Sequence, residues 1–124
     1  KGSDIFINNK KFLDLSLWCK ELEKIGFNYV CITSGGIVPK TNIKFKKKGY
    51  QVFLAKKIKE SVKIKVKTTG KISGLTHAEK IIKTNQADLI SFGRKFINSP
   101  TWLIKEMISN KKQVKLSNQY KRCF

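Results

Sequence analysis

The chain has 124 residues, of which 40% are hydrophobic, so it can build one packed domain and wholesale disorder is not expected. Lysine and arginine number 27 against 8 acidic residues, a net charge of +19, yet the lysines are scattered rather than interleaved with aromatics; this disfavours a nucleic-acid groove. Three widely spaced cysteines without a Cys-x-x-Cys pair argue against a disulfide framework or a metal site, and no apolar run approaches the ~18 residues of a membrane span. The chain reads as soluble and cytoplasmic, without a membrane partner.

Lys1 opens the chain and Met107 is its only methionine, so it reads as a segment of something longer. Phe12, Leu15, Trp18, Cys19, Leu22 and Ile25 recur at three- and four-residue intervals, which predicts an amphipathic helix ending at Gly26. Trp18 is then a core residue. Residues 27–32 form a β-prone run, in which Cys31 is a small core residue, closed by Ser34-Gly35-Gly36. A second helix is predicted over 50–60. Residues 62–66 alternate strictly and read as a strand, broken at Gly70. A third helix follows over 76–84 with Thr76 as its N-cap. Residues 87–92 read as a strand ending at Gly93-Arg94, Pro100 precedes a helix over 102–109, and residues 111–124 form a polar tail.

Helix and strand thus alternate at the spacing of β-α-β units, which predicts an α/β fold with parallel strands. Three such units do not close a (β/α)8 barrel, which needs about 250 residues. A doubly wound open sheet fits the alternation equally well.

In either architecture the site forms where strands end and helices begin. Each predicted strand here ends in small residues, at Ser34-Gly35-Gly36, Thr69-Gly70 and Gly93-Arg94. Glycine lets a backbone approach a ligand closely. Only Arg94 and Arg122 are arginine in a chain that otherwise uses lysine. A guanidinium binds two phosphate oxygens at once, which an ammonium does not, so Arg94 at a strand end is a phosphate-binding candidate. Arg122, beside Tyr120, reads equally as an ordinary tail residue. His77 has no partner carboxylate and reads as a surface residue, and Asp88 sits at the strand end opposite the site. No metal-ligand cluster, nucleophile–base pair or Gly-x-Gly-x-x-Gly is present.

Four blocks in order carry a resemblance: Thr33 to Pro39, Gly49-Tyr50-Gln51-Val52, Ala87 to Arg94, and Asn118 to Arg122. Together they resemble the C-terminal part of the Old Yellow Enzyme family, in its bacterial thermophilic-like NADPH dehydrogenase class, over nearly the whole of residues 1–124. The resemblance implies the C-terminal portion of a TIM barrel, about three β/α units corresponding to strands six to eight. It also implies FMN as cofactor, NADPH or NADH as reductant, and an enone-type alkene as substrate. Gly70, Gly93 and Arg94 match the phosphate-binding positions after strands seven and eight. Arg122 matches an arginine extended into a neighbouring subunit's active site, which makes the tail a homo-oligomer contact. The family's other catalytic groups have no match here, so the segment alone is predicted to be inactive. A non-catalytic remnant, another phosphate-binding barrel and a basic nucleic-acid-binding protein are the competing readings. Lys63, Lys65 and Lys67 alternate along a strand that a barrel buries on both faces, where unpaired charge is costly.

Overall fold

The computed structural model describes residues 9–34 and 47–123. Helix α1 (Asn9–Ile25) leads to strand β1 (Tyr29–Ile32), and α2 (Val52–Lys59) to β2 (Lys65–Thr68). Helix α3 (Leu75–Lys83) leads to β3 (Leu89–Ile90), followed by α4 (Arg94–Asn98), α5 (Trp102–Ser109) and a 3-10 turn at Lys121–Cys123. The strands form one parallel sheet in the order β1-β2-β3, with Tyr29 opposite Lys65 and Lys67 opposite Leu89. This is the α/β alternation predicted from spacing, and a parallel sheet of this kind is consistent with part of a barrel. None of the helices in the described residues is long and apolar enough to cross a membrane.

One face of the sheet carries Val30, Ile32, Val66 and Thr68, all buried. It packs with Cys19 of α1, with Leu54, Ala55 and Ile58 of α2, and with Ala78 and Ile81 of α3. Each fully buried aliphatic side chain there contributes about 1.5–3 kcal/mol. The other face carries Tyr29, Cys31, Lys65, Lys67 and Leu89, and no described element covers it. The strand lysines are accommodated on this face: Lys65 lies 3.7 Å from Asp88, and Lys67 sits over the Tyr29 ring at 4.9 Å.

Several expectations are corrected. Cys31 is exposed, because the alternation that buries Val30 and Ile32 turns it to the bare face. Trp18 is 71% exposed. The buried stripe of α1 runs Leu15, Cys19, Leu22, and Trp18 falls one helical step to its outer side. Strand β2 lies at Lys65–Thr68 rather than over 62–66, since Val62 and Ile64 pack against the core before the ladder with β1 begins. Thr76 is not the cap of α3. The helix starts at Leu75 after Gly74, and the Leu75 N–H donates to Glu106 Oε1 of α5 at 2.6 Å. Strand β3 is two residues long, although the Asp88 and Ser91 amides extend its bonding to Val66 and Thr68.

Candidate functional site

The C-terminal ends of the three strands open onto one cavity of about 460 Å³. Thr33 reaches it from β1, and Tyr50 and Gln51 from the residues before α2. The turn after β2 supplies Thr69, Gly70, Lys71 and Ile72, and the turn after β3 supplies residues 91–95. Gly70, Gly93 and Arg94, singled out from sequence, therefore share this cavity. The described part of the first loop ends at Ser34, so Gly35 and Gly36 lie outside the described residues.

Hydrogen bonds between segments far apart in the chain set the cavity's shape. Gln51 Nε2 donates to the Ser34 carbonyl at 2.7 Å, the Gly49 amide to the Lys71 carbonyl at 3.2 Å, and Thr69 Oγ1 to the Ser91 carbonyl at 3.2 Å. Gly70 has a φ of +103°, a conformation that favours glycine, and an added Cβ would lie 3.1 Å from Gln51 and Tyr50 atoms. Gly93 is different: a Cβ there would meet nothing within 4 Å. The wall after β3 is fixed by aromatic packing. Phe92 and Phe96 pack edge-on against buried Trp102 at 4.7 and 5.5 Å, and Lys95 lies over the Trp102 ring at 4.4 Å. Lys95 also meets Glu106 at 3.7 Å.

Among the described residues, the lining contains three cationic side chains, Lys71, Arg94 and Lys95, and no carboxylate. Such a concentration of one sign in a concave site favours an anion, and backbone amides at glycine turns add to it. Sequence reasoning did not single out Gln51, Lys71 or Lys95. The first stood in a recognised block without a role, and the other two were lost among many lysines.

The remaining candidates lie elsewhere. His77 is half-buried on a different cavity, of about 450 Å³, with Nδ1 3.3 Å from the Ser73 amide. Arg122 is exposed in the 3-10 turn and does not line the strand-end cavity. Asp88 accepts from the Val66 amide at 2.9 Å and pairs with Lys59, at the opposite ends of β2 and β3 from the cavity. Among the described residues, no three His, Cys, Asp or Glu side chains are grouped to hold a metal.

Comparison with known proteins identifies the family. An NADPH dehydrogenase of Bacillus pumilus (strain SAFR-032) is 35% identical over 100 residues, which is 81% of this chain and 27% of that protein. The chain thus spans about a quarter of the length of that relative. A family model described as NADH:flavin oxidoreductase / NADH oxidase matches residues 3–113, and the chain belongs to that family.

Proposed function

We propose that the strand-end cavity is the FMN phosphate site of an NAD(P)H-dependent flavin oxidoreductase, in the polypeptide of which this chain forms the strand-six to strand-eight portion. The observation that carries this reading is the convergence of the Gly70 turn and the Gly93-Arg94 turn on one cavity with three cations and no carboxylate. Barrel enzymes bind phosphate between the turns after strands seven and eight, and the present geometry supports that assignment.

The residues fit a phosphate monoester dianion. Arg94 supplies a planar fork for two oxygens, Lys71 and Lys95 add point charge, and Gly70 lets the backbone approach without a Cβ between it and the ligand. A flavin held here would supply the hydride chemistry between NADPH or NADH and an activated alkene of the enone type. The contribution of this chain is to hold and orient, since none of its cavity residues forms a nucleophile–base pair. The relative's name supports NADPH as reductant. Arg122, exposed at the tail, is assigned to a neighbouring subunit's site in a cytoplasmic homo-oligomer.

Arg94→Ala tests the reading, made in the full-length polypeptide. Charge-assisted hydrogen bonds contribute roughly 1.5–3 kcal/mol, so FMN affinity should fall by about tenfold or more. Riboflavin, which lacks the phosphate, should bind nearly unchanged, as read by quenching of flavin fluorescence. Equal affinity of the parent and variant for FMN would overturn the assignment.

A further inference from the structure

Gln51 is 2% exposed, and it stands immediately before α2, between the ends of β1 and β2. Its Nε2 donates to the Ser34 carbonyl at 2.7 Å and to Tyr50 Oη at 3.2 Å. A carbonyl only accepts, so the contact with Ser34 fixes which end of the amide is nitrogen. The other end, Oε1, is then forced toward the Gly70 turn: an added Cβ at Gly70 would lie 3.1 Å from both Gln51 Oε1 and Cγ. That oxygen is closed off from solvent and, among the described residues, has no hydrogen-bond partner. A buried acceptor without a donor is destabilising, and native structures retain few of them.

We infer that Gln51 is a positioning residue for the cavity: its amide clamps the end of β1 while its stem and oxygen prop the Gly70 turn at the distance an anion needs. The inference rests on the phosphate reading of the cavity. The unsatisfied oxygen is what the prop costs. A leucine or methionine would fill the same volume without an orphaned acceptor, but would leave the Ser34 carbonyl without its donor and the β1 end untied. Gly70 completes the fit from the other side, since only a residue without a Cβ seats against the Gln51 amide at this φ. Gln51 acts through the two turns, and the charge that recognises the ligand remains with Arg94 and its neighbouring lysines.

The test compares FMN with riboflavin in the complete polypeptide, using Gln51→Met, which keeps length and removes both hydrogen bonds. Gln51→Glu is the second variant and sets an oxygen against the Ser34 carbonyl. FMN affinity is expected to fall about tenfold in both, with riboflavin affinity within about twofold of the parent; tenfold corresponds to ~1.4 kcal/mol, the scale of a hydrogen bond. A merely structural role weakens both flavins by the same factor, and that result would overturn the inference. Arg94→Ala, measured in parallel, separates the two levels. If it loses FMN preference while both Gln51 variants keep theirs, the positioning role falls and the phosphate site stands. If all three keep the preference, the phosphate reading falls and the positioning role with it. Should Gln51→Met not fold, Gln51→Glu decides by the same criterion; if neither variant can be isolated folded while Arg94→Ala can, Gln51 is structural and the inference is overturned.

Discussion

The carboxylate of Asp88 accepts from the Val66 amide at 2.9 Å and faces Lys59 and Lys65, with its side chain 19% exposed. Burial disfavours its charge; the hydrogen bonds from Lys59 and Val66 and the positive charges of Lys59 and Lys65 outweigh that, leaving its pKa below the ordinary carboxylate value. Because the folded chain holds the proton less tightly than the unfolded one, the stabilisation is complete above the unfolded pKa of about 3.9. It disappears as pH falls through the lower folded value. Asp88→Asn should therefore lower unfolding free energy by roughly 1–3 kcal/mol at neutral pH, with a gap that shrinks as pH drops below about 4. Urea titrations of parent and variant at several pH values check this, and a gap that widens in acid would contradict it.

Helix α3 depends on a residue of another helix for its start. Glu106 Oε1 accepts from the Leu75 amide, and a Cβ on Gly74 would come 2.5 Å from that oxygen. Losing an N-cap acceptor costs about 0.5–2 kcal/mol, so Glu106→Ala should lower the thermal midpoint by several degrees. Glu106→Gln keeps an acceptor and loses only the 3.7 Å pair with Lys95, so its midpoint should lie nearer the parent's. Calorimetry of the two variants separates cap from ion pair. This cap also shows where sequence reading stops. The bounds of α5 and the α/β alternation were legible, because apolar spacing reports helix and strand locally. The cap of α3 was not, since its acceptor lies 31 residues away. Strand β2 was misplaced because pairing with β1, not alternation, decides where a ladder begins. Helix α4, at five residues, is too short to show a period. The same holds at the cavity. Glycine and arginine stand out in this composition, so Gly70, Gly93 and Arg94 could be picked; Lys71 and Lys95 offer no contrast, and the meaning of Gln51 lies in Ser34, 17 residues away.

At the scale of the molecule, the described residues cover the sheet on one face only. Tyr29 and Leu89 are 49% and 42% exposed on the bare face, and Leu13, Leu17 and Trp18 lie exposed on α1. In the described residues β1 and β3 each have one unpaired edge. Exposed apolar surface and open edges promote association. The 124 residues produced alone should accordingly sediment as oligomers or aggregates, and the same residues within a longer barrel polypeptide that covers the bare face should sediment as one defined species. Sedimentation velocity of both forms reads this directly, and a stable monomer of the short form would refute it.

The cross-turn hydrogen bonds have a dynamic corollary. The Ser34, Lys71 and Ser91 carbonyls accept from Gln51 Nε2, the Gly49 amide and Thr69 Oγ1 respectively, so the described strand ends are tied to one another in series. A rim laced in this way couples the strand ends, so a guest bound there would stabilise the lacing as a whole rather than any single strand end.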